Sequence, residues 1–250
     1  MAPDATVTFS TYDIRLTVVY DNYPARQDVG TAWGFACVIQ GPEKTILFDT
    51  GGDGKLLLAN MKTCGINPAE IDLVVISHSH WDHRGGLYNF LAENQDVALY
   101  VPASFSTSFK TDIQRYRCEL IDVQEPLNLC EHVFSSGDLP GTTREQALIL
   151  HTEQGMIIIT GCAHPGILTI IRRAQEIVQD DILLVSGGFH LLHDEKDALE
   201  RIVAEFRRLG VRYVAPSHCS GDLTREMFAQ TYQDNYLPLG VGTVIRSGHL

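Results

Sequence analysis

Hydrophobic positions along the chain alternate between short β-branched runs and longer stretches of helical spacing. Residues 14–20 are apolar and β-branched and read as a strand, followed by a polar loop over 21–30. Residues 33–40 and 44–49 are two further β-rich runs, joined by the turn signal Gly41-Pro42-Glu43. Helical spacing over 56–64 ends at Gly65, a residue suited to the left-handed position beyond a helix. Asn67-Pro68-Ala69-Glu70 then reads as a cap with proline in the first turn, which predicts a short helix before the apolar run 71–76.

The second half repeats this grammar. Residues 147–152 and 156–160 flank Glu153-Gln154-Gly155, a second hairpin signal. Helices are predicted over 167–178, 194–209 and 223–232, and strands over 182–186, 212–215 and 241–246. Asp194 and Asp197 are placed to cap the second of these helices. Hairpins early in each half, followed by strand–helix alternation, predict an α/β fold in which two mixed sheets pack face to face with helices outside. Residues 1–250 are expected to form one domain of this αββα kind, because no linker or low-complexity segment interrupts them. The two halves share an architecture without a sequence repeat.

Composition narrows the classes. With 44% hydrophobic residues in 250, the chain can bury a substantial interior, and its apolar runs are too short to span a bilayer. Met1-Ala2-Pro3-Asp4-Ala5-Thr6 lacks the basic and apolar regions of a signal peptide. The six cysteines lack C-x-x-C spacing and read as reduced thiols, so a cytoplasmic location is expected. A formal charge of −12 disfavours phosphate backbones, and the basic cluster within 201–212 fits a solvated helix face. The expected partner is therefore a small-molecule substrate, neither nucleic acid nor membrane, with homo-oligomerisation left open.

The chemistry concentrates in Ser77-His78-Ser79-His80-Trp81-Asp82-His83-Arg84-Gly85-Gly86. Three imidazoles and a carboxylate occupy six positions directly after an apolar strand, and a strand running into a loop can turn all four toward one point. Nitrogen and carboxylate oxygen are donors that Zn²⁺, Mn²⁺ or Fe²⁺ accept, so the segment reads as a metal site. Gly85 and Gly86 suit close backbone packing beneath the metals.

The pattern H-x-H-x-D-H resembles the signature of the metallo-β-lactamase fold superfamily. Thr45-Ile46-Leu47-Phe48-Asp49-Thr50-Gly51-Gly52 is similar to that family's strand-end Asp motif. Gly161-Cys162-Ala163-His164-Pro165-Gly166 and Pro216-Ser217-His218-Cys219 are similar to its two later histidine motifs, in the same order. The resemblance implies the αββα sandwich, with His78, His80 and His164 holding one metal and Asp82, His83 and His218 a second. One or two divalent ions are expected, zinc first, with manganese or iron as alternatives. Asp49 is expected to fix a ligand histidine or to support the Asp82 loop, and with Asp82 it completes the candidate catalytic pair.

One departure stands out. Many members of the superfamily carry a metal-bridging Asp where this chain reads Ser186-Gly187-Gly188-Phe189-His190-Leu191. His190 takes that region, as a terminal ligand of the second metal or as a group facing substrate. Cys162 and Cys219 are read as buried packing thiols, with a zinc-favouring thiolate ligand as the alternative for Cys162, which can share a side with His164; if the segment after 217 stays extended, Cys219 points away from the face that His218 uses. Gly187-Gly188-Phe189-His190-Leu191, together with the motifs at Cys162 and Cys219, resembles the subfamily of 7,8-dihydropterin-6-ylmethyl-4-(β-D-ribofuranosyl)aminobenzene 5′-phosphate synthases.

The implied activity is that of a metal-dependent, hydrolase-like enzyme using a metal-bound hydroxide on a small anionic or phosphate-ester substrate, pterin-related in this subfamily. Asp82, or a water held by the metal, would move the proton. Arg84, Lys110, Arg115 and Arg117 are candidate phosphate contacts, and residues 103–117 and 20–30 are candidate rim loops. The alternatives are a lactonase or thioesterase, and a non-catalytic metal-binding or ligand-sensing module.

Overall fold

The computed structural model describes residues 14–41 and 43–250; Pro42 of the first predicted turn and the N-terminal residues 1–13 lie outside the described residues. In chain order the strands begin with β1 (Arg15–Tyr20), β2 (Ala36–Gln40), β3 (Thr45–Phe48), β4 (Leu73–Val75), β5 (Ala98–Pro102) and β6 (Glu119–Val123). A second group follows: β7 (Leu127–Cys130), β8 (Val133–Ser135), β9 (Leu148–Thr152), β10 (Gly155–Thr160), β11 (Ile182–Gly188) and β12 (Tyr213–Ser217). The last strand, β13 (Val244–Arg246), returns to the first group and pairs with β1.

The sheets have the orders β13-β1-β2-β3-β4-β5-β6 and β12-β11-β10-β9-β8-β7. Each is mixed. In the first, β13, β1, β2 and β3 pair antiparallel and β3 to β6 run parallel. In the second, β7 to β10 pair antiparallel and β10, β11 and β12 run parallel.

Both faces of the central strands are apolar, which is why they read as continuous hydrophobic runs. In β2, Cys37 and Ile39 join the core between the sheets, while Ala36 and Val38 join the helix-covered face. In β10, Ile157 and Ile159 face the other sheet and Met156 and Ile158 face helices. Against the outer face of the first sheet lie α1 (Gly54–Thr63), α3 (Leu87–Glu93) and α4 (Thr107–Ile113), with the single turn α2 (Trp81–Arg84) between the first two. The second sheet is covered by α5 (Ile167–Ile177), α6 (Lys196–Arg208) and α7 (Asp222–Tyr232). The layers are helix, sheet, sheet, helix.

Several expectations change. The short helix after Asn67 is one 3₁₀ turn, Pro68–Glu70, capped by the Asn67 side chain accepting from Ala69 N. Asp194 does not cap α6: Glu195 occupies the cap without a side-chain bond, and Asp194 N–H closes a turn onto Leu191 O. The last strand begins at Val244 because Gly240, Gly242 and Thr243 form a turn, with Gly242 at φ 93°. The predicted rim loop over 103–117 contains α4, and Phe105 and Phe109 are buried beneath it with ring centroids 4.8 Å apart. Lys110, Arg115 and Arg117 pair with Asp122, Asp112 and Asp96, as solvated surface cations do. No helix among the described residues is long and apolar enough to cross a membrane.

Candidate metal centre

The site lies where loops leave the carboxyl ends of β3, β4, β10, β11 and β12. Four side-chain-bearing residues at these strand ends have left-handed backbone: Asp49 (φ 58°), Ala163 (φ 63°), His190 (φ 56°) and His218 (φ 48°). Such conformations cost on the order of 1–3 kcal/mol each and persist where surrounding contacts enforce them. Here they turn each chain abruptly as it leaves its sheet, so that side chains from both sheets meet.

Two donor clusters result. In the first, Nδ1 of His80 is 3.2 Å from Nε2 of His78 and 3.2 Å from Nε2 of His164. In the second, Nε2 of His83 and Nε2 of His218 are 3.2 Å apart, and Asp82 Oδ2 lies 3.5 Å from the former and 3.3 Å from the latter. A tetrahedral ion with metal–nitrogen bonds of about 2.0–2.1 Å requires donor separations of about 3.3 Å. Both clusters have that spacing. The rings of His78 and His83, one from each cluster, have centroids 4.2 Å apart, so the two centres are neighbours.

The nitrogen that each ring turns away from its cluster meets a partner, and for His78 and His83 that partner assigns the tautomer. His83 Nδ1 lies 2.7 Å from Asp49 Oδ2 and donates to it, leaving Nε2 with its lone pair. His78 Nδ1 is 2.9 Å from Ser77 Oγ, which in turn donates to Asp49 Oδ2 at 2.7 Å. Thr143 Oγ1 stands 3.1 Å from His80 Nε2, and Thr142 Oγ1 stands 3.2 Å from His164 Nδ1. Asn22 Oδ1 is 3.1 Å from His218 Nδ1, and Asn22 Nδ2 donates to His218 O. The inward nitrogens of His78 and His83 are thereby left as acceptors, the state a metal ion requires, whereas a threonine hydroxyl serves either tautomer of His80 and His164.

Fully buried carboxylates hold the loops. Asp49 accepts from Ser77 N at 2.7 Å in addition to Ser77 Oγ and His83, so it ties β3, β4 and α2 together. Its oxygens are occupied and turned away from the pocket, which makes it a holder of His83 rather than a group that meets substrate. Glu145 does the same on the second sheet. Its Oε1 accepts from Gly161 N, Cys162 N and Ala163 N, and its Oε2 from His164 N at 2.8 Å. Gly85 and Gly86 pack against the backbone of Gly52 and Thr50, where a β-carbon would collide with carbonyl oxygens.

Electrostatics suit cations. Burial and then the neighbouring imidazoles push His78 well below its ordinary value, His83 down to about 4 and His164 to about 3, so all three are neutral near pH 7. Burial acts to raise Asp82, but the hydrogen bond from His218 and the His83 and His218 charges outweigh it and hold the carboxylate at about 2. Burial likewise acts to lower His218, and the Asp82 bond with the Cys219 and Asp82 charges turns the balance upward.

His190 does not join either cluster. Its exposed ring lies 4.2 Å, centroid to centroid, from that of His164, and its donor atom groups with the sulfurs of Cys162 and Cys219. Cys219 reaches this group because Ser217 is followed by a 3₁₀ turn, His218–Ser220, and not by extended chain. Beside His164 and His190 opens a cavity of about 280 Å³ with an apolar wall of Ile167, Leu168, Phe189 and Leu191. Trp33, 43% exposed, stands over the other side with its ring centroid 4.7 Å from that of His218.

Glu145→Ala strands four buried N–H groups and should lower the unfolding free energy of the metal-free protein by about 3 kcal/mol or more in urea denaturation. Lowering the pH from about 7.5 to about 6 should release the cation of the Asp82–His83–His218 cluster first. The sign follows from His218 alone, whose pKa is raised so that protons compete there, whereas His83 beside it and His78 and His164 in the other cluster are lowered. Stepwise metal titrations at the two pH values check the order; loss from the His78 cluster first would contradict it.

The profile of the metallo-beta-lactamase superfamily matches residues 34–218. A 7,8-dihydropterin-6-methyl-4-(beta-D-ribofuranosyl)-aminobenzene-5'-phosphate synthase from Methanocaldococcus jannaschii is 27% identical over 251 residues, covering 82% of this chain and 85% of the relative. The crystal structure of Tm1679, described as a metal-dependent hydrolase of the beta-lactamase superfamily, superposes with a TM-score of 0.78 at 26% identity, covering 93% of this chain and 98% of that one. The metallo-beta-lactamase fold protein YhfI from Bacillus subtilis gives a TM-score of 0.70 at 14% identity, over 94% of this chain and 100% of that one, a likeness of fold. With the two sheets, the strand-end loops and the paired donor clusters in place, the chain belongs to the metallo-beta-lactamase superfamily.

Proposed function

We propose that the protein is a metal-dependent, hydrolase-like enzyme acting on a small anionic or phosphate-ester substrate. The observation that carries this reading is the pair of adjacent clusters, His78–His80–His164 and Asp82–His83–His218, each at tetrahedral donor spacing. Zinc suits this imidazole-rich set best, with manganese or iron as alternatives. Divalent ions held there lower the pKa of water from about 15.7 toward about 7 and stabilise developing negative charge.

The remaining work falls to side chains. Asp49 and Glu145 are sealed from the pocket, and Asp82 is the carboxylate of the site that retains slight exposure. Asp82, ionised near neutral pH, is therefore the carboxylate placed to relay a proton and not to keep one, while Asp49 only positions His83. Thr142 and His190 stand at the mouth of the 280 Å³ cavity and offer donors to an anionic substrate. Its apolar wall and the exposed face of Trp33 suit a flat ring system. A substrate combining a phosphate with a heteroaromatic ring matches both, and the name of the Methanocaldococcus jannaschii relative contains both. Attack by water gives hydrolysis; attack by an organic nucleophile in the same place gives the bond-forming chemistry of a synthase.

Turnover of bis(p-nitrophenyl) phosphate should vanish on chelation and return on adding metal, and His80→Ala should lower kcat/KM by about a hundredfold or more. Activity that survives verified metal removal would contradict the reading. His190→Ala should keep the wild-type metal content while raising KM for phosphate esters by about tenfold, as loss of a charge-assisted contact does. Loss of a metal equivalent in this variant would instead make His190 a ligand.

A further inference from the structure

The six donors of the two clusters contribute one negative charge, from Asp82, against four positive charges when two divalent ions are bound. The buried carboxylates of Asp49 and Glu145 stand behind the donors, and a further anion in direct contact with the ions would lower the remaining cost of burying their charge. The end of β11 supplies no carboxylate, and Gly188 there leaves no room for one. A β-carbon on Gly188 would lie 2.7 Å from the Cys219 sulfur and 3.2 Å from Cys162 Cα, and would collide with Gly161 O. Both site cysteines, Cys162 and Cys219, border Gly188.

Cys162 is placed to supply that further anion. Its sulfur is 3.2 Å from His83 Nε2, a nitrogen already assigned to the second cluster. A donor atom of His78, one of His83 and the sulfur of Cys162 lie within 4.8 Å of one another, although His78 belongs to the first cluster and His83 to the second. The sulfur thus stands against both. Its backbone is fixed by the bond from Cys162 N to Glu145 Oε1 at 2.8 Å, and the left-handed turn at Ala163 lets Cys162 and His164 approach the same centre. Cys219 shares with Cys162 the group that includes His190, and its thiol donates to Cys162 O at 3.6 Å, but only Cys162 also belongs to the His78–His83 set.

We propose that Cys162 is a thiolate ligand shared by both cations, filling the bridging role that no carboxylate takes among the described residues. The inference rests on the two-cluster reading above. On binding, the S–H bond is broken and its proton goes to solvent, two metal–sulfur bonds form, and no electron is transferred. The site then carries two negative charges instead of one, and the soft donor biases it toward zinc or iron over magnesium or manganese.

Cobalt(II) tests this without recourse to activity. The reduced, metal-free protein is titrated with Co²⁺ while the near-ultraviolet thiolate-to-cobalt charge-transfer band is recorded. The band should grow with the first equivalent and again with the second, because each ion sees the same sulfur. Cys162→Ser should lose the band and bind the second equivalent about tenfold more weakly or worse, whereas Cys219→Ser should keep the band. Two equivalents bound without a band in the wild type would overturn the shared thiolate while leaving the two-cluster site standing. A band that saturates at one equivalent would make the sulfur a ligand of one ion only, and a band lost in Cys219→Ser but kept in Cys162→Ser would place the ligand at the wrong cysteine. No cobalt bound at all would overturn the site and the inference together.

Discussion

The Asp49 carboxylate is the joint on which the donor set depends. It sits at the end of β3 with no exposure and accepts from Ser77 N, Ser77 Oγ and His83 Nδ1. Ser77 leads into His78, and His83 belongs to α2, so one carboxylate fixes a residue of each cluster and the sequence between them. Burying a carboxylate is unfavourable unless its lone pairs are met, and burial does push this one well above its ordinary range. Three short hydrogen bonds offset part of that cost. The same solution recurs on the opposite sheet, where Glu145 accepts four backbone N–H groups and sets the loop carrying Cys162 and His164. Each sheet therefore has its own buried acid, and the pocket lies between the loops those acids hold.

That arrangement explains why much of the site could be read from sequence. A ligand at a strand end announces itself locally: an apolar run stops and a histidine or aspartate follows within a few positions. His78, His80, Asp82 and His83 follow β4 in this way, His164 follows β10 and His218 follows β12. Most central strands were equally legible, because burial on both faces makes them continuous apolar runs, although β5, buried on both faces as well, was not among the predicted strands. The weaker signals came from edges. In β6 and β7 most side chains are exposed or half-buried, so no hydrophobic period marks them.

What the sequence concealed was the set of residues that hold the ligands. Thr142, Thr143 and Glu145 come from a segment with no element of its own, and they meet histidines 22 and 63 positions away. Asn22 meets His218 across 196 positions. Polar residues in a connecting loop carry no local mark of such contacts; the earlier Asp49 could be suspected only because it ended a strand. The cysteines misled for another reason. Alternation along an extended chain puts Cys219 opposite His218, but the 3₁₀ turn with His218 at φ 48° removes the alternation and brings the thiol inward. Phe105 and Phe109, which looked suited to a rim, are instead buried against the first sheet's helices.

On the proposed reading, two cations are held side by side by these particular side chains. Anomalous diffraction at the zinc edge, from crystals of metal-loaded protein, tests it most directly. Two peaks are expected, one at about 2.0–2.1 Å from His78 Nε2, His80 Nδ1 and His164 Nε2, the other at the same range from His83 Nε2, His218 Nε2 and Asp82 Oδ2. A single peak, or peaks away from these atoms, would contradict it.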